Sequence, residues 1–174
     1  PIARPLPSAA RPMRACGVLA ATLFACLTPG PEQTASAAPA VVISEFMASN
    51  SRTLRDDQGI TSDWIEIHNR SADTVDLGDF ALTDDPSRPR RWPFPHLALG
   101  PGERKIVFAS GRDRRDAGQP LHASFKLSAE GDYLALTAAD GQVIQAFAPR
   151  FPPQFADVSY GFAHDGSSAP WFLP

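Results

Sequence analysis

The chain has 174 residues, 43% hydrophobic and 20% charged, which suffices for one domain with its own core and excludes wholesale disorder. Net charge is −3; the first 40 residues hold Arg4, Arg11 and Arg14 against Glu32, so the remainder carries −5, which argues against a protein built to grip nucleic acid through phosphate contacts. Eighteen prolines, spread along the chain, suit short strands and turns better than long helices.

Residues 1–37 are expected to be a signal or leader segment, with Met13 the candidate true start. Met13-Arg14 is a short basic beginning, and Cys16 to Leu27 is an apolar run of 12, too short to span a bilayer, which takes about 20. Pro29, Gly30 and Pro31 break any helix, and Ala35-Ser36-Ala37 is a small-x-small site, so cleavage is expected after Ala37. The competing structural reading of this run is a buried core helix, which the cleavage site and terminal position oppose. A second exit is open: Leu23-Phe24-Ala25-Cys26 resembles a lipobox, with Phe24 as a departure, which makes Cys26 the candidate lipidation site. Cys16 and Cys26 are the only cysteines, so a body cleaved after Ala37 has no disulfide and no cysteine-based metal site.

After a short linker, 38–40, residues 41–48 are β-branched and aromatic and read as a strand. Residues 49–62 are a polar loop. Residues 63–69 alternate, with Ile65 and Ile67 on one face and Trp64, Glu66 and His68 on the other, the mark of a strand with one face in the core. Val75, Leu77, Phe80 and Leu82 belong to the next strands, and 84–90 is a second polar loop. Trp92-Pro93-Phe94-Pro95 is extended, because proline and its predecessor avoid helix. Lys105 to Ala109 is a strand, 110–122 a third polar loop, and Phe125 and Leu127 begin another strand. Tyr133–Thr137 and Val143–Phe147 flank Asp140-Gly141, a hairpin signal, and Val158–Gly161 adds a last strand. No stretch of the body has a sustained helical period, so the body, 41–165, is an all-β antiparallel sandwich or barrel. Residues 166–174 are expected to be a truncated tail or the start of a further segment. The residues placed inside are Ile43, Ile65, Ile67, Leu77, Leu82, Val107 and Leu136.

The order of several short pieces is more specific than any one of them. Val42-Ile43-Ser44-Glu45-Phe46-Met47-Ala48, Asp63-Trp64-Ile65-Glu66-Ile67-His68-Asn69 and Val75-Asp76-Leu77-Gly78-Asp79-Phe80-Ala81-Leu82-Thr83-Asp84-Asp85 come first. Trp92-Pro93-Phe94-Pro95, Leu99-Gly100-Pro101-Gly102 and Phe125-Lys126-Leu127-Ser128 follow in order. Over residues 41–148 this resembles the lamin-tail domain, the immunoglobulin-like β-sandwich of nuclear lamins that also occurs in exported bacterial proteins. The pieces Phe108–Asp113, Phe147-Ala148-Pro149, Pro153-Gln154 and Ser159-Tyr160-Gly161 are similar to the variant at the head of larger bacterial surface proteins. Those often carry a CotH-type kinase-like domain downstream.

No catalytic residue and no cofactor is assigned. The chain has no glycine-rich phosphate loop and no kinase Asp and Asn segments, and Ser110 sits in Ala-Ser-Gly, not in a nucleophile elbow. His68, His96, His122 and His164 share no metal-ligand spacing; a Ser-His-Asp triad is assembled only by the fold and is not legible in spacing. Asp56, Asp57, Asp84 and Asp85 are weak calcium candidates, against the commoner role of Asp-Asp as a solvated turn. Arg88, Arg90 and Arg91, and Arg112, Arg114 and Arg115, are interleaved with acids that cancel their field. Asn69-Arg70-Ser71 fits a glycosylation sequon, although Asn at a strand end more often makes the turn. Trp64, opposite Ile65 and Ile67, is the candidate ligand contact.

Two function classes follow: a non-catalytic adhesion, scaffold or spacer module of an exported or cell-surface bacterial protein, and the N-terminal accessory domain of a larger surface enzyme. The expected partner is a protein or polysaccharide at the cell surface. Nucleic acid is not expected, and a membrane only through a lipid on Cys26.

Overall fold

A computed structural model of the protein describes residues 39–162 and 170–173; Cys16, Cys26 and His164 lie outside the described residues. In chain order the strands are β1 (Val41–Met47), β2 (Trp64–Asn69), β3 (Val75–Asp76), β4 (Phe80–Thr83), β5 (Trp92–Pro93) and β6 (Ala98–Leu99). They continue with β7 (Arg104–Phe108), β8 (Leu121–His122), β9 (Leu134–Ala138), β10 (Val143–Phe147), β11 (Ser159–Gly161) and β12 (Trp171–Leu173). Among the described residues no helix is long and apolar enough to cross a membrane.

One sheet runs β12-β11-β1-β2-β7-β8, a second β10-β9-β4-β5, and β3 pairs with β6 alone. All pairings are antiparallel except β7 with β8, where Val107 lies beside Leu121 and Phe108 beside His122. The tail of the expected third polar loop is therefore a buried parallel strand, which corrects the purely antiparallel reading. Two layers with one apolar filling are consistent with an immunoglobulin-like sandwich.

The filling is legible residue by residue. Ile43, Ile65, Ile67, Leu77, Leu82, Val107 and Leu136 are fully buried in one cluster that also holds Phe46, Trp92 and Phe151. Each such side chain stabilises the fold by about 1.5–3 kcal/mol relative to exposure. The Phe46 ring meets Phe147 edge-on at 4.9 Å and Phe151 at 4.7 Å, joining the first strand to the last part of the body. The Asp140-Gly141 hairpin joins β9 to β10, with Gly141 at φ 85, the left-handed conformation such a turn needs.

Between Ile43 and Glu45 the register of β1 against β2 shifts, a bulge. β11 pairs with β1 only at Glu45 and Phe46, so the backbone at Ile43 lacks a strand on that side. Gln145, from the other sheet, fills the place: its Oε1 accepts the Ile43 N–H at 2.7 Å and its Nε2 donates to the Ile43 carbonyl at 3.1 Å. A carboxamide is the side chain that offers both a donor and an acceptor, as a peptide does.

Three expectations change. Leu77 is not in a strand but in a 3₁₀ turn, Leu77–Asp79; Asp76 accepts the Gly78 N–H at 2.9 Å, and this cap turns Leu77 into the core. Phe125 and Leu127 are buried as an apolar pair should be, yet they form no strand, and a bridge between Ser110 and Lys126 pairs this segment with the chain ahead of it. β12 is an addition: three residues, Trp-Phe-Leu, are too few to carry a period.

Candidate functional site

Loop 49–63 and loop 109–122 are joined by ion pairs between residues more than fifty positions apart. Asp56 folds its own loop first: its Oδ1 accepts the N–H groups of Gln58 and Ile60, each at 2.9 Å, and Gly59 takes φ 74 to complete the turn. Its Oδ2 accepts Arg112 Nη1 at 2.8 Å, and its side chain is fully buried. Asp57 accepts both terminal nitrogens of Arg114, at 3.0 and 2.7 Å, a bidentate pair. Burial opposes the charge on Asp56, but the Ile60 and Gln58 amides and Arg112 outweigh it and hold the carboxyl below its ordinary range.

His122 closes the cluster. It is fully buried, stacked on Phe108 with ring centres 5.2 Å apart, and its Nδ1 is 2.8 Å from Ser110 Oγ. Its Nε2 is 2.9 Å from Arg114 Nη2. A guanidinium only donates, so Nε2 accepts and the proton sits on Nδ1, which donates to Ser110. Burial, then Arg114 and Arg112, push His122 below its ordinary pKa, so the ring is neutral at neutral pH.

This arrangement decides two chemical questions. Ser110 and His122 touch as a nucleophile and base would, but the imidazole presents a proton to the hydroxyl, and its lone pair is occupied by Arg114. Asp56, Asp57 and His122 also bring ligand atoms within 4.8 Å of one another, the only such group among the described residues. Two arginines already supply the positive charge there, and a cation would have to displace both. Read as a solvated turn, Asp56-Asp57 does make the turn and Asp57 is exposed, but Asp56 is buried. Neither loop shows the pairing on its own: Asp56 and Asp57 in one and Arg112 and Arg114 in the other meet only in the fold.

The other calcium candidates lie apart from this group. Asp84 is held by Arg91, which also lies over the Phe125 ring at 5.5 Å. Asp85 is held by Ser87 and Arg88, which pull its pKa down to about 2. Arg115 pairs with Asp113 at 2.8 Å, so five of the six clustered arginines are in ion pairs, and the sixth, Arg90, donates to the Ala138 carbonyl at 2.9 Å.

Trp64 is on the face the alternation assigned, but it is 92% buried, which removes it as a ligand platform. It packs with Met47 and Phe108, its direct cross-strand neighbours, under Leu54 and Ile106. The outward face of this sheet thus has a second apolar cluster, where alternation leads one to expect solvent. Asn69 is fully buried; its Nδ2 donates to the Asp73, Leu99 and Gly100 carbonyls and its Oδ1 accepts from Ser71, so the sequon asparagine is consumed in making the turn.

A family model described as Lamin Tail Domain matches residues 34–150. No curated protein matches the chain.

Proposed function

The chain belongs to the lamin tail domain family, and from that premise we propose that it is a non-catalytic contact module, serving adhesion, scaffolding or spacing, in an exported or cell-surface bacterial protein. The observation that carries this reading is the joining of loops 49–63 and 109–122 by Arg112–Asp56 and Arg114–Asp57. Loops on a rigid sandwich are where recognition sits, and loops ordered in advance lose little entropy on binding. The same bonds engage Asp56, Asp57 and, through Arg114, the acceptor nitrogen of His122. The partner is a protein or polysaccharide of the cell surface; nucleic acid is disfavoured because the clustered arginines are already engaged.

Export rests on the leader. Cleavage after Ala37 leaves a thiol-free protein, and mass spectrometry of the mature N-terminus distinguishes it from a lipid-anchored Cys26. The module reading is tested by assaying the chain for ATP turnover and for esterase and glycosidase activity, with no turnover expected. Turnover abolished by His122→Ala or Asp56→Asn would overturn it.

A second reading, the N-terminal accessory domain of a larger surface enzyme with a CotH-type kinase-like part, is favoured by the exposed aromatics at one sheet edge. Trp171 on β12 is 51% exposed and Phe155 is 64% exposed against Phe172, an apolar surface suited to a following domain. The coding sequence beyond Pro174 decides it.

A further inference from the structure

A cleft of about 390 Å³ opens beside the arginine–aspartate cluster, with Ile60, Asp63, Ser110, Arg112 and Lys126 in its wall. Asp63 is half-buried there. Its Oδ1 accepts the Asn50 N–H at 3.1 Å, and among the described residues its other oxygen has no partner. Lys126 acts on the Asp63 carboxylate through its charge, yet the two form no direct ion pair. Arg112 is already balanced by Asp56. The cleft is therefore close to neutral overall, with an acceptor and a cationic donor that share it without touching.

An acceptor and a cationic donor in one cleft favour one ligand chemistry. An anion meets the Asp63 carboxylate and a cation meets Lys126 and Arg112, so both are disfavoured. A hydroxyl accepts from an ammonium and donates to a carboxylate, and two neighbouring hydroxyls satisfy both at once. Ser110 adds a third contact: its Oγ accepts from His122 and, at 3.4 Å, from the Arg112 N–H, so its own proton is available to a ligand. Ile60, 45% exposed, offers aliphatic surface to the C–H face of a ring.

We propose that this cleft binds a neutral, hydroxyl-rich ligand, a hexose unit of a polysaccharide, whose hydroxyls donate to Asp63 and accept from Lys126. This rests on the contact-module reading and names its ligand class. The test is calorimetric titration of the full chain with malto-, cello-, manno- and galacto-oligosaccharides, with polygalacturonate and inorganic phosphate as acidic comparators. At least one neutral oligosaccharide should bind saturably. Asp63→Asn and Lys126→Met should each weaken binding by about tenfold or more, the loss expected for a hydrogen bond to a charged group, with unchanged melting. Lys105→Met, outside the cleft, should leave it unchanged. No neutral sugar binding, tighter binding of an acidic comparator, or full binding by both cleft variants would overturn the proposal. Failure of the sugars while the chain still binds cell-envelope material removes the cleft assignment and leaves the module reading intact; glycoside turnover removes the module reading itself.

Discussion

At Gly161 a missing Cβ lets β11 close on the bulge of β1: an added methyl would sit 2.3 Å from the Ser44 carbonyl oxygen and 2.6 Å from Glu45 Cα. Both obstacles are backbone, so the strand itself must move. Gly161→Ala should destabilise the domain by about 1–3 kcal/mol in denaturant melts, as overpacking does; an unchanged midpoint would show that β11 is not seated there. His122 makes a second residue-scale prediction. Its folded pKa lies below the unfolded value of 6.5, so its neutral form contributes stability that is complete above pH 6.5 and lost as pH falls through the folded pKa. His96 has the opposite sign, raised by Asp76 and so stabilising below pH 6.5 and lost as pH rises, but it is a surface group and its effect is small. Melting temperature should therefore fall on acidification below pH 6.5, and His122→Phe should flatten that slope. A slope unaltered by the substitution would assign the acid sensitivity elsewhere.

At the scale of elements, what the sequence makes legible is local. Alternation in β2, the Asp-Gly hairpin and the apolar run of β1 each depend on neighbours in sequence, and each is where the pattern puts it. What is not legible depends on distance. The Leu77 turn needs the Asp76 cap to be seen as a cap, the bulge of β1 needs Gln145 from the far side of the sandwich, and Trp64 is covered by Leu54 from a loop that reads as polar. The candidate site is the extreme case, because Arg112 and Asp56 are both ordinary loop residues until the fold pairs them. Arg112→Ala leaves the Asp56 carboxylate buried without its partner, and a destabilisation of about 1–3 kcal/mol is expected. Hydrogen exchange should also speed up at the Gln58 and Ile60 amides, which Asp56 holds. Unchanged exchange at those two amides would show that loop 49–63 orders itself without loop 109–122.

At the scale of the whole molecule, fold and function were unequally visible. The family pattern over residues 41–148 fits the match at 34–150 because a sandwich core leaves a repeated trace of strands and turns in fixed order. Contact chemistry leaves no such trace, since a superfold does not imply a function. On the contact-module reading proposed above, the joined loop surface acts by binding. Its most direct measurement is co-sedimentation of the chain with cell-envelope fractions, beside a variant carrying Ile60→Ser and Gln119→Ala, two exposed loop positions whose side chains hold nothing in the fold. The account predicts saturable binding that is lost in the variant while its melting temperature is unchanged. Absence of binding, or binding that the loop substitutions leave intact, would contradict it.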